Sequence, residues 1–284
     1  MTTIPENFTE FLYWIKRETE TLWSKNPDLH HFEKWLHGAE WIGMSDTQID
    51  QAEEKYSIKF THEHKEFLKV LHAVDRKEKH EDTDDNGEII VNEYPFFYNW
   101  LEDNEEIIYR LQYPFEGILY NVKNHAMWLK SWGERPDKEA ELTEKLTDIY
   151  RQSPRLLPLH SHRFLVSDPS LLYNPVLSIW GADTIIYGWT LKTYLINELK
   201  YYLDIWKTVY DEEDRQYYSD LNDEARKIHD KDYQYDPSKK IPFWQEIILD
   251  YNQSWSSFGM ENPPNPYLES LKKSSGNDSK NKIS

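Results

Sequence analysis

The alternation of apolar and polar positions divides the chain into stretches of two periods. Between Leu156 and Tyr187, the apolar runs Leu156 to Leu159, Arg163 to Val166, Val176 to Trp180 and Thr184 to Tyr187 are separated by Pro, Asn, Asp, Ser and Gly. Runs this short, rich in branched and aromatic side chains and bounded by turn formers, predict three or four strands of one sheet. From Leu191 the period changes. Leu191, Tyr194, Leu195, Leu199, Tyr202, Leu203 and Trp206 recur at three- and four-residue steps, with Lys192, Glu198, Lys200, Asp204 and Lys207 on the other side. That stripe predicts a helix capped by Thr190 and ending near Tyr210, with one face buried on the sheet.

Upstream, Phe8, Phe11, Leu12, Ile15, Leu22 and Trp23 mark one face of a helix over about Glu6 to Ser24, ended by Pro27. Leu29 to Gly38 reads as a short helix or turn with Gly38 as its C-terminal cap. Ser45 with Gln48 forms a capping box for a helix carrying Ile49, Ala52, Glu53 and Tyr56, and Thr61 caps a second one carrying His64, Phe67, Leu68 and Leu71. Asn86-Gly87 before Ile89, Ile90 and Val91 predicts a β-hairpin, because both turn residues tolerate positive φ. Glu105 to Gln112 suits a short helix, while Ile118 to Trp132 fits strand or helix. Leu142, Leu146 and Ile149 predict an amphipathic helix closed by Pro154. The charged, Tyr-rich stretch Asp211 to Asp236 is expected to be helical and solvated. Trp244, Ile247, Ile248 and Tyr251 predict a last packed helix, and the residues from Gly259 on a disordered tail.

Composition sharpens this picture. With 12 Trp and 20 Tyr among 284 residues, the interior is expected to be aromatic rather than aliphatic. The net charge of −18 repels nucleic acid and anionic membranes and favours a basic partner or simple solubility. The absence of Cys excludes disulfides, thiolate nucleophiles and Cys-based zinc sites. Neither a signal-peptide pattern nor an apolar run of membrane-spanning length occurs, so a soluble, cytoplasmic protein is expected.

Little in the sequence promises catalysis. The nine Gly are too widely spaced for a Gly-rich phosphate loop, and G-x-S-x-G is absent. His62 and His64, two apart on a helix, face different sides, and His160 and His162 would need a third ligand from elsewhere. Asp82 to Glu93 matches the EF-hand loop pattern, with Asp82, Asp84, Asn86, Gly87 and Glu93 in place. Pro95 opposes the outgoing helix that such a loop needs, and the hairpin reading explains Asn86-Gly87 without a metal. Calcium binding there stays an alternative. The aromatic run Phe96 to Trp100 reads as core rather than as a sugar-stacking surface.

Two segments carry a resemblance. In Trp41 to Val74 the lead-in Trp41 and Gly43, the capped helix with Ile49 and Glu53, and the Phe67-Leu68 pair are similar to the first motif of the SUKH superfamily, of the Smi/Knr cell-wall-assembly-regulator type. In the central block, Leu157-Pro158-Leu159, the run Asn174, Pro175, Val176 to Ile179, and Asp183 to Gly188 with Tyr187 resemble its second motif, in the same order. The family commonly has Pro where this chain has Phe60-Thr61, and Asn-Gly where it has His72-Ala73-Val74. The resemblance implies a single α+β domain over residues 29–210, with a central, mainly antiparallel sheet and flanking helices. Residues 1–28 and 211–258 would add helical extensions and 259–284 a tail. It also implies a protein-binding, non-catalytic role in which the motif residues are structural and no cofactor is used. Bacterial members look like immunity proteins that neutralise a toxin, and fungal relatives regulate cell-wall synthesis.

The expected function is therefore that of an immunity protein occluding a basic, nuclease-type toxin. Its partner-binding candidates are Asp82, Asp84, Asp85 and Glu88 in the hairpin and Glu105 and Glu106 beyond it. A regulatory scaffold is the alternative, and a calcium- or glycan-binding module a further one.

Overall fold

In the computed structural model, which describes residues 3–84 and 86–260, Asn7 opens the first helix, α1 (Phe8–Trp23), by accepting the Glu10 N–H. Of its predicted stripe Phe11, Leu12, Ile15 and Trp23 are buried and Phe8 and Leu22 partly so, with Trp14 buried beside them. Pro27 does not end α1; it starts a short second helix, α2 (Pro27–His30), where its missing N–H costs nothing. A 3-10 turn at Lys34–Leu36 follows. Strand β1 (Trp41–Ile42) leads to α3 (Asp46–Tyr56), opened by the capping box of Ser45 and Gln48, and to α4 (His62–Leu71), opened by Thr61. Strand β2 (Ala73–Val74) returns antiparallel to β1.

Glu53 holds this helical unit together. Its buried carboxylate accepts the Phe60 N–H at 2.8 Å and pairs with Lys59 at 2.7 Å and Lys65 at 2.9 Å. Burial pushes the carboxyl up, but these donors outweigh it and hold the pKa at about 2. Both lysines reach solvent, so most of the cost of removing the carboxylate falls on the buried Phe60 N–H. Glu53→Ala is expected to lose about 2 kcal/mol in urea unfolding and Glu53→Gln, which keeps an acceptor, about half of that. A Glu53→Ala chain as stable as the wild type would remove Glu53 from this role.

The expected hairpin is present as β3 (Lys77–Thr83) and β4 (Ile89–Pro95). The next helix, α5 (Asn104–Asn124), is one 21-residue element spanning both the expected short helix and much of the ambiguous stretch. Pro114 sits inside α5 without ending it. Burial of Ile107, Pro114, Ile118 and Val122 along one side offsets the cost of a Pro inside a helix, about 3 kcal/mol from the lost hydrogen bond and the ring clash together. A 3-10 turn (Lys130–Trp132) and α6 (Glu139–Tyr150) precede the sheet.

The four central runs form β5 (Arg155–His160), β6 (Arg163–Ser167), β7 (Val176–Trp180) and β8 (Asp183–Gly188), an antiparallel meander in the order β5-β6-β7-β8. Pro158 lies in β5, the edge strand, where a missing donor is tolerated. Helix α7 (Leu191–Leu199) is shorter than its periodicity predicts. The chain turns through Asp204 at φ 51°, and the Ile205 N–H bonds the Lys200 carbonyl. Trp206 then begins β9 (Trp206–Asp211), paired with β10 (Gln216–Leu221). The stretch expected to be helical thus holds a hairpin before α8 (Asp223–Asp232). Here the β-branched and aromatic Thr208, Val209, Tyr210, Tyr217 and Tyr218 favour strand over helix. A short helix, α9 (Trp244–Glu246), runs into a π-helical turn at Ile247–Tyr251 and a 3-10 turn at Trp255–Phe258. Most of the expected tail lies outside the described residues.

Helices cover both faces of the meander, making an α+β fold. Leu157, Leu159, Leu165 and Val176 point into one core with α1, α3, α4 and α7. Leu156, Phe164, Val166, Leu177 and Ile179 point into a second core with the later part of α5, with α6 and with α9. Burial on both faces is why these strands read as continuous apolar runs. Phe96, Phe97, Tyr98 and Trp100 are buried in the first core, as expected. His64 is fully enclosed beside Phe60, Phe67 and Trp100, with neither ring nitrogen hydrogen-bonded. Nearby, His72 Nε2 accepts the Trp100 N–H at 2.8 Å.

Candidate functional site

The β3–β4 hairpin is built by its turn and anchored at its base. At the turn, Asp84 Oδ1 accepts the N–H groups of Asn86 and Glu88 at 2.9 and 2.8 Å, and Gly87 adopts φ 83°. These backbone donors hold the Asp84 carboxyl below its usual range. Its carboxylate therefore shapes the turn and is less free for a partner than its sequence position implies. At the base, Lys77 pairs with the buried Asp103 carboxylate, which also accepts the Asn99 N–H at 2.8 Å. From there the chain runs directly into the buried Phe96 and Phe97.

Beyond its base the arm is uncovered. Ile89 and Val91, which share one side of β4, are 71% and 55% exposed, and Ile90 on the other side is exposed too. A strand packed on one face would alternate instead. Two strands alone are marginal in water, and three adjacent branched apolar residues left open are a ready template for association. Around them stand Asp82, whose carboxylate accepts from the Asn92 amide at 2.6 Å, and Glu88, whose side chain is exposed. Lys79 and Glu93 close a cross-strand ion pair at 2.9 Å. Asp85 lies outside the described residues.

The strand register decides the EF-hand question. Asp82 faces Ile90 and Glu93 faces Lys79, so the two carboxylates project from opposite sides of the ribbon and cannot converge on one ion. Among the described residues no three ligand-type side chains gather. His62 is exposed while His64 is buried, the opposed orientation expected for a two-residue helical step.

Helix α5 brings one of its two acidic candidates to the arm. Glu106, ion-paired with Arg110 at 2.7 Å, lines a cleft of ≈ 610 Å³ with Lys77, Asn92, Glu93 and Tyr94 at the hairpin base. Glu105 is exposed on the same first turn and is not part of that cleft. The sequence candidates thus fall into an outer group, Asp82 and Glu88, and a basal one, Glu106.

A second arm, β9–β10, was hidden by its charge and by the helical stripe before it. Asp211 Oδ1 accepts the N–H groups of Glu213 and Asp214 at 2.8 and 3.0 Å and shapes the tip, where the side chains of Glu212, Glu213 and Asp214 are exposed. Tyr210 and Tyr217 pack ring to ring at 5.0 Å, and Tyr217 is 73% exposed. The signal that could have found this arm is the cluster of β-branched and aromatic residues, Thr208 to Tyr210 and Tyr217-Tyr218, on either side of Asp211 to Arg215.

The residues carrying the resemblance lie mostly inside. Trp41 donates its indole N–H to Thr19 at 2.8 Å, and Ile49, Phe67, Leu68 and Val176 are core. Pro158 and Pro175 are buried, with the Pro175 carbonyl accepting the Val166 N–H at 2.9 Å. Tyr187 is half-buried under the Arg163 guanidinium at 3.8 Å. Gly188 packs so closely on α7 that a Cβ would stand 2.6 Å from the Tyr194 nitrogen. Asp183 is exposed at the start of β8.

Both hairpins leave apolar or aromatic side chains exposed on an α+β body, and no helix among the described residues is long and apolar enough to cross a membrane. No family model, curated protein or solved structure matches the chain.

Proposed function

We propose that this chain is a non-catalytic, cytoplasmic protein-binding protein, an immunity protein that neutralises a basic, nuclease-type toxin domain by covering its substrate-binding face. The observation that carries this reading is the β3–β4 arm, which leaves Ile89, Ile90 and Val91 open to solvent beside Asp82 and Glu88. Carboxylates flank the apolar residues on both sides of the ribbon, Asp82 opposite Ile90 and Glu81 opposite Val91, which suits a partner whose own site is built to hold a polyanion. The net charge of −18 would speed the encounter at low salt. The resemblance to the SUKH superfamily supports the same role.

The test is capture of partners on the tagged chain under toxin-producing conditions, followed by growth rescue when the captured domain is expressed with this chain. A one-to-one complex with a basic domain and restored growth are expected. Ile89→Ser with Val91→Ser is expected to weaken that complex at least about tenfold, and Asp82→Lys with Glu88→Lys to slow association and flatten its salt dependence. Thermal stability should barely change, since these side chains are exposed. Unchanged binding in both variants would exclude the arm, and failure to rescue growth would exclude the immunity role. The second arm favours one rival, a regulatory scaffold, because two separate hairpins can hold two partners. A ternary complex with no toxin among its members would establish it.

A further inference from the structure

A groove between α5, α6 and the start of β5 carries chemistry that neither arm uses. It encloses ≈ 570 Å³ and is walled by Tyr56, Leu111, Phe115, Tyr150 and Leu156. This volume falls in the range of small-molecule sites, about 300–1,000 Å³. Phe115 and Tyr150 meet with ring centroids 5.1 Å apart, so the wall is aromatic as well as apolar.

The charges beside it run against those of the whole molecule. Lys55, Arg151 and Arg155 line the groove with one carboxylate, that of Glu116, on a chain with 51 acidic and 33 basic residues. Arg151 is held by Asp148 at 3.0 Å. Lys55 lies over the Tyr56 ring at 5.0 Å, and neither it nor Arg155 has a carboxylate at ion-pair distance among the described residues. Burial pushes the Tyr150 phenol above its usual range, opposed by Arg155, which leaves the hydroxyl protonated and able to donate.

We propose that this groove binds a small amphipathic carboxylate, an aryl-alkyl acid whose ring lies against Phe115 and Tyr150 and whose carboxylate meets Arg155 and Lys55. A single negative charge is favoured over a polyanion, since a nucleic acid or an anionic bilayer would meet the repulsion of the −18 surface around the groove. The site stands apart from both hairpins and does not depend on the proposed toxin partner.

The experiment is calorimetry of the full chain at low salt with 4-phenylbutyrate and its neutral counterpart 4-phenylbutanol. The acid is expected to bind about tenfold tighter than the alcohol, and Lys55→Gln with Arg155→Gln to bring that ratio close to one. Both substituted side chains are exposed, so the variant should fold, which circular dichroism checks. Ring-current shifts in the Phe115 and Tyr150 resonances should appear with the acid. Equal binding of acid and alcohol, a ratio unchanged in the variant, or no heat up to the solubility limit would each overturn the proposal.

Discussion

Lowering the pH from 7.5 to 5 is expected to remove about 4 kcal/mol of stability through two buried histidines. Burial, together with repulsion from His72, pushes the His64 pKa down to about 3. Burial, partly opposed by Asp103, pushes that of His72 down to about 4. Both rings are neutral in the folded chain at pH 5, whereas the unfolded chain binds a proton at each below its ordinary value of 6.5. The unfolded state therefore takes up more protons, and stability falls as pH falls. This contribution is complete above 6.5 and is lost progressively down to about 4 and 3. Each group contributes about 1.4 kcal/mol per pH unit, and two groups over 1.5 units reach about 4 kcal/mol, a large part of a typical total of about 5–15 kcal/mol. Urea unfolding at the two pH values measures it. His64→Leu, which removes a ring without hydrogen-bond partners, should roughly halve the slope. A midpoint that does not move between pH 7.5 and 5 would mean that both rings are already protonated or accessible in the folded chain.

Gly43→Ala is expected to destabilise the chain by about 4 kcal/mol or more, the largest effect of any single substitution considered. A Cβ at this position would stand 2.0 Å from the Lys69 carbonyl oxygen and 2.8 Å from its carbon. Both atoms belong to the backbone of α4, so no side-chain rotation relieves the clash. The contact is also held by the Met44 N–H, which bonds the Leu68 carbonyl at 2.9 Å. Moving α4 away would break that bond and loosen Trp41, so the cost exceeds ordinary overpacking. Gly38→Ala is the control. Gly38 has φ 70° and open space around it, so only backbone strain of about 1–2 kcal/mol applies. Thermal unfolding of the two variants separates the effects, and a Gly43→Ala chain no less stable than Gly38→Ala would show that β1 and α4 do not approach this closely.

Where one short-range signal acts without competition, the sequence was legible. Ser45 with Gln48 and the hydroxyl of Thr61 start α3 and α4 because their bonds form within one turn of chain. Asn86-Gly87 closes the first arm for the same reason. The four central strands were readable because Pro, Asn and Gly punctuate them. Reading failed where two local signals conflicted. Pro114 stands between the short helix expected over Glu105 to Gln112 and the ambiguous stretch from Ile118, yet burial along both halves carries α5 through it. The stripe beginning at Leu191 continued past the point where Asp204 turns the chain, and the charged stretch after it concealed a hairpin.

For the candidate surfaces, the sequence by itself determined the chemistry available: an acidic chain without cysteine, a hairpin bearing Asp82 and Glu88, and carboxylates at the start of α5. Only the tertiary structure decided which of these are free. It ties Asp84 into its own turn, places Asp82 and Glu93 on opposite sides of the ribbon, brings Glu106 to the base of the arm, and gathers Lys55, Arg151 and Arg155 around one groove. The physical reason is range. Caps, turns and periodicity act within a few residues, whereas exposure and the meeting of distant side chains depend on how the helices pack against the sheet, a balance of burial across the whole molecule.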